Sequence, residues 1–203
     1  MKRYLLAPIA LGLSALLGAT SYADVATVVP ACNACHGPDG ISPLPDVPTI
    51  AGISVIVFED ALYAYREGDR PCPTAPNPPE HPGAAGMDMC VHANGLAEED
   101  VAGVAEHYAA LPFVAATPQT DAGMAAQGKT IHDRDCEICH SQGGSDPTDD
   151  ASILAGQQMG YLRHVLIEYQ AGTRPQPRAM EAKLTALSAT DIDALIHYYG
   201  SLQ

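Results

Sequence analysis

Positive charge is scarce in this chain: 10 Lys and Arg stand against 24 Asp and Glu, a formal charge of −14. A polyphosphate backbone would be repelled, which excludes nucleic acid as a partner. Long apolar runs are lacking as well. Only the N-terminus has one, and it falls short of the roughly 20 residues that cross a bilayer. No stretch alternates apolar and polar residues as a half-buried strand does, so the expected class is all-α. Cysteine is sparse, at six residues, and the placement of those six carries most of the information.

The N-terminus reads as an export signal. Lys2 and Arg3 give a charged start, Leu5 to Leu17 an apolar core, and Ser21-Tyr22-Ala23 a small-residue cleavage site. Residues 1–23 are therefore expected to be removed, leaving a soluble, periplasmic protein with no membrane span. Lys2 and Arg3 leave with the signal, so the mature chain keeps 8 bases against 24 acids, a formal charge of −16. Such a surface suits a partner with a basic docking patch, because opposite charges steer encounter.

Two cysteine motifs then stand out, Cys32-Asn33-Ala34-Cys35-His36 and Cys136-Glu137-Ile138-Cys139-His140. CxxCH reads as a c-type haem attachment site. Two thiols three positions apart on one helical turn reach the two vinyl groups of one haem, and the adjacent histidine sits under the iron. The other readings are zinc and a thiol redox pair. A structural zinc site wants about four converging ligands, and a redox pair has no use for the trailing histidine. Two motifs behind an export signal favour two covalently bound haem c groups.

The two motifs belong to an internal repeat. An offset of 104 carries Cys32, Cys35 and His36 onto Cys136, Cys139 and His140, and Ile50-Ala51-Gly52 onto Leu154-Ala155-Gly156. It also carries Tyr65, Gly68, Arg70 and Pro71 onto Tyr169, Gly172, Arg174 and Pro175. The offset then falls to 91, with Met89 on Met180, Leu96 on Leu187, Tyr108 on Tyr199 and Leu111 on Leu202. This is one unit twice, with 13 extra residues in the first copy. The expected units are 24–111, with an inserted loop at 72–90, and 121–203, joined by a linker at 112–120. Each reads as a small helical bundle packed around a haem. The periodicity predicts helices from about Ile53 to Arg66, from Glu98 onward, from Ala122 to the second CxxCH, from Met159 to Ala171 and from Thr190 to Leu202.

A methionine or histidine as sixth iron ligand makes an electron carrier; an open iron permits ligand chemistry. Met180 follows Arg174-Pro175-Gln176-Pro177, a stiff run that can hang a side chain over a haem face, whereas Met159 suits packing. In the first copy Met87, His81 and Met89 compete, and the repeat favours Met89. His92, His107, His132, His164 and His197 read as surface or packing residues. Tyr65, Tyr169, Arg70 and Arg174 are candidates for the haem propionates or for ordinary packing and solvent-facing positions. Cys72 and Cys90 bracket the insertion. In an oxidising compartment they read as a disulfide closing a loop of about 19 residues, worth about 3 kcal/mol in a chain-entropy account. The alternatives are a reactive thiol pair, or Cys90 as an unusual haem ligand.

These residues resemble the tandem class I cytochromes c, meaning cytochrome c4 and the dihaem subunit of flavocytochrome c sulfide dehydrogenase. Cys32 to Gly52 is similar to both. The run from Ile131 to His140, Gly143-Gly144, Ile153 to Gln157, Arg174-Pro175 and Met180 to Leu184 look closest to the flavocytochrome subunit. The resemblance implies His36/Met89 and His140/Met180 ligation and a non-catalytic electron-transfer role. It also implies a flavoprotein partner that oxidises sulfide; a free-standing shuttle between periplasmic dehydrogenases and an oxidase is the other reading. Two features depart from the pattern: the Cys72–Cys90 insertion, and Ser152 where the first copy has Pro48.

Overall fold

The computed structural model describes residues 25–72 and 88–203. The export signal, most of the insertion, and the competing ligands Met87 and His81 lie outside the described residues. The described chain is helical, without a strand. The first copy has α1 (Val25–His36), α2 (Val55–Arg66), α3 (Met89–Gly95) and α4 (Glu98–Ala109). The second has α5 (Ala122–Asp135), α6 (Met159–Gln170), α7 (Arg178–Leu184) and α8 (Ala189–Ser201).

Local chemistry sets the helix starts. Ser54 accepts from the Val57 amide at 3.3 Å, Asp88 from Val91 at 2.9 Å and Asp121 from Met124 at 2.8 Å. Ser188 and Asp191 form a reciprocal capping box at the start of α8. Glu98, Glu99 and Asp100 occupy the first turn of α4, where the helix dipole favours acids. The sequence did not foretell α3 and α7. Each has seven residues, less than two full turns, too short for an apolar stripe to repeat.

Each copy has its own apolar core. Phe58 and Leu62 of α2 meet Val101, Val104 and Tyr108 of α4. Leu162 and Leu166 of α6 meet Ile192, Leu195 and Tyr199 of α8. The same turn recurs in both. The Gly40 carbonyl accepts from Ile50 and Ala51 at 2.8 and 3.3 Å, and the Gly144 carbonyl from Leu154 and Ala155 at 2.8 and 3.2 Å. Gly40 and Gly144 have φ of +72° and +78°, backbone that strongly favours glycine. The linker runs between the copies, with Phe113 against Gly52 and Ala115 against Gly156.

The copies meet where the first copy's loop faces the start of α6. Tyr161 N–H donates to the Pro45 carbonyl at 2.9 Å, and Gln158 Nε2 to the Ser42 carbonyl at 2.6 Å. Tyr65 lies across this boundary from Tyr161 and Arg174; burial first, then Tyr161, pushes its phenol pKa up.

Backbone contact is tightest in the second copy, where a methyl group at Gly128 of α5 would collide with the Ala194 carbonyl of α8. Overpacking of this kind costs about 1–3 kcal/mol, more than the few tenths that valine gains over glycine in helix propensity. Gly128→Val should therefore lower the urea midpoint. Gly95→Ala, where the added carbon meets nothing within 4 Å, should leave it unchanged or raise it. Equal effects of the two substitutions would contradict this packing.

Candidate functional site

In the first copy, α1 delivers the motif. Cys32, Cys35 and His36 occupy its last turn, so thiols and imidazole share one side. The second copy differs from the expectation of a helical turn. Helix α5 ends at Asp135, and Cys136–His140 forms a hydrogen-bonded turn, with Cys139 and His140 amides both donating to the Cys136 carbonyl at 3.1 and 3.0 Å. The spacing survives because this turn also brings the third and fourth residues back over the first.

None of the four motif cysteines is spent in a disulfide. Burial pushes the Cys32 and Cys136 thiols up in pKa, the opposite of an activated redox thiolate. The Cys/His/acid grouping with metal-binding spacing among the described residues is Cys72, Asp88 and Cys90, and those two cysteines are joined in a disulfide with Cα atoms 5.9 Å apart. No set of zinc ligands gathers around either CxxCH among the described residues. The pair expected as a disulfide is one, which takes Cys90 away as a haem ligand and leaves no reactive thiols there.

The histidines suit an iron. His36 is buried, and its Nδ1 lies 2.8 Å from the Pro48 carbonyl. A carbonyl only accepts, so Nδ1 carries the proton and Nε2 keeps its lone pair. Burial holds the ring pKa down and thus the ring neutral. His140 is also held down by burial. The Ser152 carbonyl, in the place of Pro48, is a hydrogen-bond acceptor for it and raises its pKa, but the contact falls short of the full geometry that His36 has. The motifs therefore fit a covalently held haem with a neutral imidazole, and the proximal contacts differ between copies.

Met89 opens α3 beside Cys90, and its side chain packs against the first core. Met180 lies in the first turn of α7 against the second core. Met159 packs beside Gly200, as a core residue. Matched residues hold these methionine helices. Arg66 donates from Nε to the Ala93 carbonyl at 2.7 Å and from its NH2 nitrogen to the Leu96 carbonyl at 2.6 Å. Gln170, 104 residues on, donates from Nε2 to the Leu184 and Leu187 carbonyls at 2.9 and 3.0 Å. Sequence reading missed both, because Arg and Gln share donors rather than shape.

Two histidines have polar surroundings that the sequence does not show. His132 is fully buried, with Nδ1 3.0 Å from the Tyr199 hydroxyl and Nε2 2.6 Å from Glu137. Its Nε2 hydrogen bond is the foremost cause holding the Glu137 carboxyl below the usual range. His92, one turn after Met89, has a buried Nε2 without a hydrogen bond and acts on His36. The arginines stack on the tyrosines of their own copy, Arg70 5.2 Å over Tyr65 and Arg174 5.0 Å over Tyr169. Arg174 is buried, pairs with Glu168 at 3.2 Å and leaves its Nε unpartnered.

Arg66→Leu leaves two carbonyls at the end of α3 without their charged donor. Hydrogen bonds from a charged group contribute about 1.5–3 kcal/mol, so the first copy should lose about 2 kcal/mol. Amide exchange should quicken in α3 and stay unchanged in α7; equal change in both, or in neither, would contradict the assignment.

No protein-family model matches the chain. It is similar to cytochrome c4 of Azotobacter vinelandii, 29% identical over 185 residues, covering 84% of each chain. Cytochrome c-554(548) of Halomonas halodenitrificans is 35% identical over 77 residues, covering 38% of this chain and 80% of that protein. Reduced recombinant cytochrome c4 from Pseudomonas stutzeri superposes with a TM-score of 0.71 at 24% identity, covering 88% of this chain and 97% of that one. Thiosulfate dehydrogenase (TsdBA) from Marichromatium purpuratum superposes with a TM-score of 0.68 at 27% identity, covering 85% of this chain but 36% of that one. The chain belongs to the class I c-type cytochromes: it is cytochrome c4-like, with two tandem cytochrome c domains and two covalently bound haem c groups, and it carries electrons.

Proposed function

We propose that this chain is a periplasmic dihaem electron carrier in which Cys32 and Cys35 hold one haem and Cys136 and Cys139 the other. His36 and Met89 are the axial ligands of the first iron, His140 and Met180 those of the second. The observation that carries this reading is the His36–Pro48 contact of 2.8 Å. It fixes the protonated nitrogen away from the metal side and leaves the other free, in a ring kept neutral by burial. When bound, each haem supplies a one-electron couple at its iron; the chain supplies ligands, burial and nearby charge. Two ligands per iron leave no open position for bond chemistry, so the chain is not itself an enzyme. His92 is the competing sixth ligand at haem one, supported by its orphaned Nε2 one turn from Met89.

The donor is a dehydrogenase of reduced sulfur compounds. The second copy's likeness to the flavocytochrome subunit supports a flavoprotein that oxidises sulfide, and the superposition on thiosulfate dehydrogenase supports the same substrate class. The second reading is a free-standing shuttle to a terminal oxidase, supported by the match to cytochrome c4 over 84% of both chains. The excess of 24 acids over 10 bases suits a basic docking patch in either case.

Isolation of the native protein from its own periplasm separates these. A tightly bound flavin absorbing beside the haem bands is expected for the flavoprotein complex. Haem bands alone, on a free chain beginning at Asp24, would overturn that partner and leave the shuttle.

A further inference from the structure

The second copy reaches into the proximal side of the first. Gln157 and Thr49 are buried, 3% and 1% exposed, and lie on opposite copies. Gln157 Oε1 accepts from the Thr49 amide at 2.9 Å, and Gln157 Nε2 donates to the Thr49 carbonyl at 2.9 Å. Only this orientation of the side-chain amide satisfies both partners. Oε1 also accepts from the Gln158 amide at 3.0 Å.

The Thr49 N–H and the Pro48 C=O are two ends of one peptide group. Gln157 holds the N–H end, and His36 Nδ1 donates to the C=O end at 2.8 Å. Donating a hydrogen bond from its N–H polarises a peptide's carbonyl, so the two bonds strengthen each other in a buried setting. Ser42 N–H donating to Thr49 Oγ1 at 3.2 Å steadies the same loop. The second copy has no such arrangement. Its Ser152–Ile153 peptide receives no matching side-chain amide, its loop is held locally by Asp149 accepting from Ser141 N–H at 2.6 Å, and His140 Nδ1 lacks a full hydrogen bond. The repeat partner of Gln157 is Ile53, which can neither donate nor accept.

We propose that Gln157 is a positioning residue for haem one, acting from the other copy through the Pro48–Thr49 peptide to strengthen the Nδ1–H hydrogen bond of His36. A stronger bond there makes the imidazole a more basic ligand and stabilises the oxidised iron. The redox poise of haem one thus depends on contact between the copies. The inference rests on the reading of His36 as proximal ligand.

The test uses the intact dihaem protein and a redox titration in which each haem is followed by its own paramagnetically shifted NMR signals. Gln157→Leu should raise the midpoint of haem one and leave haem two in place. At the original midpoint the reduced-to-oxidised ratio of haem one should grow about threefold, about 28 mV at 59 mV per tenfold for one electron. Thr49 amide exchange should quicken, and in the reduced protein the His36 Nδ1 proton should shift toward the value of a weaker hydrogen bond. Gln157→Met, which keeps the side chain's length, carries the same expectation should the leucine variant fail to fold. Gln157→Glu, whose carboxyl is held neutral by burial, keeps a donor and an acceptor and should restore both readouts.

A freed Thr49 amide with haem one unmoved would overturn the proposal, as would equal movement of both haems. If the unsubstituted protein lacks His36 signals shifted by haem one, both this inference and the ligation reading fall, and that result appears before any substitution is made.

Discussion

One buried tyrosine in each copy ties the two sides of the cofactor site together. The Tyr108 hydroxyl donates to Asn33 Oδ1 inside the first CxxCH at 2.8 Å, and its carbonyl accepts from Gly52 N–H at 2.8 Å. Tyr199 does the same work through His132, with its hydroxyl 3.0 Å from Nδ1 and its carbonyl accepting from Gly156 at 2.8 Å. The side chain fixes the attachment segment and the backbone fixes the loop beneath the proximal histidine. Burial pushes both phenols up in pKa, so they stay protonated and able to donate. The terminal helices pack where they do so that these tyrosines can reach both elements.

Two identical plans joined by a short linker would give two identical loops, yet only the first copy's loop is in contact with the other copy. The first copy's loop is captured by Gln157, Gln158 and Tyr161. The corresponding second-copy loop turns back on itself through Asp146 and Asp149. His36 has a full hydrogen bond to the Pro48 carbonyl, and His140 a weaker one to Ser152. The asymmetry lies in the protein around the cofactors and in the attachment motifs, which share Cys and His but differ in the two residues between the cysteines and in backbone.

Much of this was legible in the chain itself. The two offsets placed Gly52 on Gly156 and Tyr108 on Tyr199, and in both copies the glycine N–H donates to the tyrosine carbonyl at 2.8 Å. The long helices α2, α4, α5, α6 and α8 followed their apolar spacing, shifted by a residue or two where Ser54 and Ser188 set the caps, whereas α1 was legible only as a short apolar stretch before a helical turn. The Cys72–Cys90 disulfide followed from leftover cysteines bracketing an insertion. What stayed hidden did so for several physical reasons. Helices α3 and α7 are too short to show a period. Arg66 and Gln170 do one job with different side chains. Gln157 matters because it breaks the repeat, and a search for agreement between copies passes over such a position. His92 and His132 read as ordinary histidines because their surroundings come from distant segments.

Each CxxCH should hold one haem independently, through its own two cysteines. The most direct measurement is the intact mass of the exported protein and of two variants, Cys32→Ser/Cys35→Ser and Cys136→Ser/Cys139→Ser. Two haems should be covalently bound to the unsubstituted chain and one to each variant, with low-spin spectra from the remaining site. An unsubstituted chain with fewer than two haems, or a variant that keeps both, would contradict it.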